Sequence, residues 1–295
     1  MPRLKTTWCL VWVLAGWGCG SESDSHPRNA SHDAGPDVVH ADAAVDATDD
    51  LVDGPVTLTT AGMFAGGVGS LCGIGYDPVD DQVWVYPCSS DTFHGFSPAG
   101  APVGTLARPG EAANDADLDF APAALTLGTS AVTASALLFT NGEIDVAEIY
   151  LPETTATAAL VSAFGASHVV GASYHTGRTS LFAVQDHNAG TEGNLIAEID
   201  PVSGAVLGSF STLPAFDVDY GDLDVCQSSG HLFVVSSVEP TLAELTPTGT
   251  LVAEYPLPVE VTLASGIGID DASGVAWISG TGGGVWQIQG LPCAP

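Results

Sequence analysis

The side chains best suited to chemistry in this 295-residue chain are carboxylates spaced two residues apart. Asp115, Asp117 and Asp119 form one run; Asp217 and Asp219, with Asp222 close behind, form another. Residues i and i+2 of an extended segment point the same way, so each run can turn its carboxylates toward a common point. Hard carboxylate oxygens suit calcium or magnesium, and calcium is the cation this pattern implies, although no cofactor is fixed by it. The first run opens like a calcium loop, yet Phe120 stands where such a loop turns on glycine and Thr126 where it ends on an acid. Asp186-His187 with Asp222 is a second constellation. It combines the metal ligands and general base that a metal-dependent hydrolase of lactones or phosphate esters needs. No Gly-x-Ser-x-Gly elbow, phosphate-binding loop or His-Glu-x-x-His run accompanies it, so no enzyme class is named and a binding role is favoured over catalysis. His94, His168, His175 and His231 are scattered and read as surface histidines.

The charge is lopsided. Thirty-five acidic residues face five bases, for a formal net charge of −30. Arg3 and Lys5 fall in the leader, which leaves Arg28, Arg108 and Arg178 and no lysine. Such a surface repels phosphates and anionic headgroups, which excludes nucleic acid as a partner, and attracts cations and positively charged partners.

Arg3 and Lys5 precede the apolar run Trp8 to Gly16, the layout of a secretory signal at residues 1–18 and too short to span a bilayer. Gly16-Trp17-Gly18-Cys19 resembles a bacterial lipobox, with Gly16 and Trp17 departing from the residues the motif prefers. The resemblance implies lipidation of Cys19, and Gly20 after it implies the outer membrane; without the lipid the protein would be secreted. Contact with the membrane would then be through the lipid anchor alone. Residues 19–54, rich in Asp, Ala, Ser and Gly and free of aromatics, read as a disordered acidic linker. Its histidines, His26, His32 and His40, read as solvated.

The elements that must position the acids are strands. Five segments repeat a strand, turn and strand: 73–86, 124–140, 171–184, 222–235 and 266–279. Their spacing, roughly 48 residues, is that of four-stranded propeller blades. The last repeat stops after its third strand at 285–291, while a β-like segment, Pro55 to Thr60, stands unpaired ahead of the first. Together they complete one blade and close the ring. The fold expected for residues 55–295 is therefore an all-β propeller of five blades, or six if 100–123 hides a degenerate one. GIGYDPVDDQVWVY and the stretch from Asp222 to Leu257 resemble repeats of the NHL and SdiA-regulated-type propellers. That resemblance implies architecture rather than activity, since these scaffolds carry ligand binders, lactonases, esterases and scaffold proteins alike.

Four cysteines in the folded part of an exported chain imply two disulfides. Pairing Tyr76 with Trp84 across the first hairpin sets Cys72 opposite Cys88, and the blade layout brings Cys226 and Cys293 to one ring face. Links between blades, and loops between second and third strands, open on a common face. That face is expected to carry Asp91, Asp115, Asp117, Asp119, Glu143, Asp186, His187, Glu192, Asp217, Asp219, Asp222 and Glu239. Asp222 and Asp224 border a first strand, where they either point into the central channel or cap a neighbouring backbone group. The function expected is that of an exported, membrane-tethered protein presenting an acidic propeller face to a small-molecule ligand or protein partner, with metal-dependent hydrolysis as the alternative.

Overall fold

The computed structural model describes residues 56–143, 148–152, 156–160, 168–188 and 193–293. The leader, Cys19, the linker and Glu192 lie outside the described residues.

Five four-stranded antiparallel sheets form the blades. Blade 1 is β2 (Leu71–Asp77), β3 (Gln82–Pro87), β4 (Thr92–Phe96) and β5 (Pro102–Ala107). Blade 2 is β6 (Ala116–Phe120), β9 (Leu137–Asn141), β10 (Glu148–Leu151) and β11 (Ala156–Leu160), with a short hairpin of β7 (Leu125–Leu127) and β8 (Ser130–Val132) inserted after its first strand. Blade 3 runs β12 (Val169–His175), β13 (Ser180–Gln185), β14 (Leu195–Ile199) and β15 (Val206–Ser211); blade 4 runs β16 (Asp222–Val225), β17 (Leu232–Val235), β18 (Thr241–Leu245) and β19 (Leu251–Pro256). Blade 5 takes β20 (Ala264–Asp270), β21 (Val275–Gly280) and β22 (Gly284–Gln289) from the C-terminal end of the chain and its outer strand, β1 (Thr59–Ala65), from the N-terminal side.

Burial follows the radius. Every residue of β12 is buried, whereas β15, three strands further out, is almost wholly exposed. Inner strands are covered on both faces by neighbouring blades, which is why they lack the clean apolar and polar alternation of a half-exposed strand. The apolar core is divided into five clusters, each shared by two adjacent blades. Trp277 of blade 5, for example, is 1% exposed and packs between Tyr76 of blade 1 and Phe64 of the closing strand. The two disulfides join Cys72 to Cys88 and Cys226 to Cys293, with Cα separations of 5.0 and 5.7 Å.

Four expectations change in detail. The closing strand is Thr59–Ala65, a little later than 55–60. The inner strand of blade 2 is Ala116–Phe120 rather than a segment near 124; its Asp-x-Asp pattern hides the strand because it faces the axis, while the inserted hairpin carries the familiar apolar and turn signal. Residues 100–123 thus supply β5 and β6 and no sixth blade. In the first hairpin the register is one residue off, with Tyr76 opposite Val83 and Gly75 opposite Trp84. A bulge between Leu71 and Gly73 shifts the register by one more residue and leaves Cys72 out of the ladder, from where it bonds Cys88.

Candidate functional site

The inner strands meet at the axis, where blades 1, 3 and 5 offer Gly73, Gly171 and Gly266 and blades 2 and 4 offer Asp117 and Asp222. Two residues further on stand Gly75, Asp119, Ser173, Asp224 and Gly268. The glycines make room for the acids: a Cβ at position 171 would lie 2.0 Å from Asp222 Oδ1. The acids in turn bind the blades to one another. Asp222 Oδ2 accepts from the Ile267 amide at 2.8 Å, and Asp224 Oδ2 from the Ile269 amide at 2.7 Å, both in the next inner strand. Their Oδ1 atoms accept from the amides of Leu223 and Val225, and Ser173 Oγ of blade 3 donates to Asp224 Oδ1 at 2.8 Å. Asp222 and Asp224 therefore point into the channel and cap neighbouring backbone groups at once.

Asp117 and Asp222 are 2% and 0% exposed, and Asp117 hydrogen-bonds Asp222. Burial drives both carboxyls well above the usual range, with repulsion from Asp222 adding to it at Asp117 and repulsion from Asp224 at Asp222. Asp117 Oδ1 is buried without a hydrogen-bond partner. At the hairpin-turn end of the channel, burial lifts Asp119 to about 7 and Asp224 to about 8. Asp271, raised to about 7 mainly by burial and next by Asp224, lines the same cavity of about 60 Å³ with Tyr76, Ser173 and Gln227. Of the acids expected together on the loop face, Asp117, Asp119 and Asp222 thus project from inner strands into the axis, because the i and i+2 alternation operates within strands rather than loops.

The opposite mouth, formed by links between blades and by loops after second strands, gathers the rest. Asp115 precedes β6, His168 precedes β12 and Asp186 follows β13. His168 Nδ1 lies 2.7 Å from Asp115 Oδ2 and 3.9 Å from Asp186 Oδ1. A chain of backbone bonds fixes the three: Gly142 N donates to Asp115 O at 2.8 Å, His168 N to Gly142 O at 3.0 Å and Asp186 N to His168 O at 3.0 Å. Only glycine fits at 142, where a Cβ would stand 1.9 Å from Val169 O. His168 itself holds a left-handed backbone, φ 74°, a conformation that costs a non-glycine residue about 1–2 kcal/mol. The carboxyl of Asp115 is pushed up to about 6, chiefly by burial and against the pull of His168. Asp186 takes the amide of Asn188 at 2.8 Å and its side-chain nitrogen at 3.1 Å.

Beside this cluster His187 turns to Asp217 at 3.2 Å and Asp219 at 3.5 Å, so those two acids do act together. The trio Asp186, His187 and Asp222 is split three ways: Asp186 faces His168 and Asn188, His187 faces the 217–219 loop, and Asp222 lies in the axis. His168, read from the sequence as one more surface histidine, replaces His187 at the centre of the cluster. Like Asp115 in blade 2, it stands just before an inner strand. Apart from these two histidines, no basic side chain meets these acids among the described residues. Arg108 spends its guanidinium on the carbonyls of Ser90, Pro109, Gly110 and Glu111 and on Asp91, and Arg178 pairs with Glu198 at 2.8 Å.

No protein-family model matches the chain, and no curated protein matches it in sequence. Solved structures do match in fold. Glutaminyl cyclase of Myxococcus xanthus superposes with a TM-score of 0.54 at 13% identity, over 79% of this chain and 96% of that one. Virginiamycin B lyase from Staphylococcus aureus gives a TM-score of 0.43 at 16% identity, over 74% of this chain and 65% of that one. At such identity the likeness to the cyclase speaks for the β-propeller fold alone.

Proposed function

We propose that the chain is an exported lipoprotein, anchored through Cys19, that presents the acidic mouth of its propeller to a positively charged ligand or partner. The observation that carries this reading is the pairing of a crowded acid face with the absence of any arginine or lysine to neutralise it among the described residues. Asp217 and Asp219, 41% and 18% exposed at their side chains, stand at the rim, held by His187, Asn188 and Asn194. Opposite charge brought there is drawn in by a field that salt screens over about 8–10 Å. Two disulfides support an oxidising compartment outside the cytoplasm.

Binding of an oligolysine peptide at low and moderate salt tests the rim. The Asp217→Asn/Asp219→Asn double variant is expected to weaken it roughly tenfold and to flatten its salt dependence. Salt-independent binding, or an unchanged double variant, sinks the rim reading. The anchor is tested separately by mass spectrometry of the mature N-terminus, which is expected to show Cys19 as the first residue carrying acyl chains. Two or three chains hold a protein at a membrane, since each buried methylene contributes about 0.8 kcal/mol. An unmodified terminus makes the same propeller a secreted protein. Metal-dependent hydrolysis is the second reading, and the contact of His168 with a carboxyl raised to about 6 is the observation that favours it.

A further inference from the structure

We infer that Asp115, His168 and Asp186 form a binding site for a first-row divalent transition metal such as zinc, rather than for the calcium that the acid runs suggest. The inference does not depend on the rim reading above. One donor atom from each of the three side chains lies within 4.8 Å of the other two. Ligands at about 2.0 Å from a tetrahedral zinc ion stand about 3.3 Å apart. The two distances from His168 Nδ1, 2.7 Å to Asp115 and 3.9 Å to Asp186, bracket that spacing, and the two carboxylate oxygens lie within 4.8 Å of each other, so an ion can be seated by small movements of the three side chains.

The donor set decides the metal. An imidazole nitrogen between two carboxylates suits zinc and its neighbours, whereas calcium asks for six to eight oxygens. The surroundings favour a cation. Asp186 is 0% and Asp115 5% exposed, and neither meets an arginine or lysine among the described residues. Glu143 adds negative charge close to Asp115 and takes the amides of Asn114 and Asp115, and the Tyr220 ring stands in the field of Asp115, Asp186, Asp219 and Glu143. Supports behind the ligands are in place: Asn188 holds both oxygens of Asp186, and the Gly142 ladder holds all three backbones. His168 is 36% exposed at its side chain, which leaves one side of the site open to a water or an exchangeable ligand.

Binding displaces the hydrogen bond between His168 and Asp115. The imidazole then gives the Nδ1 lone pair to the metal and carries its proton on Nε2.

The test uses the full processed chain, stripped with chelator and titrated with zinc, cobalt and calcium. One equivalent of zinc is expected to bind at least about 100-fold more tightly than calcium. Cobalt is expected to give a visible absorption band of a low-coordinate nitrogen and oxygen site. His168→Ala and Asp115→Asn are each expected to lower zinc affinity by about 100-fold or more and to abolish the band. Asp217→Asn/Asp219→Asn should leave both unchanged, which separates this site from the rim. A circular dichroism spectrum of metal-free His168→Ala that matches the parent shows that the loss is not one of fold. Absence of a stoichiometric zinc site, tighter binding of calcium, or a His168→Ala variant that binds zinc as well as the parent overturns the assignment.

Discussion

Acidifying the metal-free protein from pH 8 to pH 6 is expected to raise its melting temperature by roughly 5–11 °C, the reverse of ordinary acid destabilisation. The cause is the row of acids in the axis. Asp119 and Asp224 face each other across the channel with Ser173 between blades 2 and 4, and Asp271 lies at its end; no arginine or lysine meets them among the described residues. Burial is the largest cause of each shift, and it places the folded values at about 7, 8 and 7 against an ordinary 3.8. A carboxyl raised in the folded state keeps its proton where the unfolded chain has lost it. Its contribution is complete below about pH 4 and disappears as the pH climbs through 7 to 8. One net proton kept by the folded state over those two pH units is worth about 2.7 kcal/mol, and a domain of this size gains about 2–4 °C per kcal/mol. His175, whose pKa burial lowers, acts oppositely once the pH falls further, so the comparison belongs between 8 and 6.

Asp119→Asn supplies the internal control. An asparagine keeps the acceptor used by the Phe120 amide at 2.6 Å and removes the charge that burial penalises. It should raise the melting temperature at pH 8 and flatten the profile between 6 and 8. A profile in the variant as steep as in the parent places the titration elsewhere. Melting curves in chelator at both pH values give the answer, since a metal bound at the mouth would add its own dependence.

The same acids show what a sequence of this kind reveals. Hairpins such as Gly266 to Ser279 announce themselves, because a turn between two apolar strands is a local signal, and from their spacing the blade count and the closing strand follow. The inner strand of blade 2 is hidden for a long-range reason. Ala-Asp-Leu-Asp-Phe reads as a loop until the glycines of blades 1, 3 and 5 are seen to vacate the space that its carboxyls fill. Asp217 and Asp219 come out of the sequence together because one loop carries them. The Asp115, His168 and Asp186 cluster comes from three separate links, joined through Gly142, and no local spacing could assemble it. Cys72 and Cys88 meet although the register differs from the one expected, since Cys72 sits in the bulge, outside the ladder, rather than in a directly opposed pair.

Loss of the Cys226–Cys293 disulfide should destabilise the propeller more than loss of Cys72–Cys88, and the difference follows from what each bond spans. Cys72 and Cys88 are 16 residues apart within one hairpin, while Cys226 and Cys293 are 67 apart and tie the end of blade 5 to the first strand of blade 4. Loop-closure entropy assigns about 3 kcal/mol to the short span and about 4 kcal/mol to the long one. Native contacts widen the gap. Ser228 Oγ donates to Cys293 O at 2.6 Å, and Cys226 and Cys293, 0% and 1% exposed, sit in the cluster shared by blades 4 and 5. The closing strand β1 cannot make good the loss, because its side chains alternate between exposed and half-buried and it holds blade 5 mainly through backbone pairing with β22. Cys226→Ser/Cys293→Ser is therefore expected to melt roughly 8–16 °C below the parent, and Cys72→Ser/Cys88→Ser roughly 6–12 °C below it. Protein made in a reducing cytoplasm should start near the sum of both deficits and recover on oxidation. Melting of the two double variants, and of the parent with and without reductant, decides it. Equal stability with and without reductant would show that the disulfides do not hold the ring, and would remove the support they lend to an extracytoplasmic home.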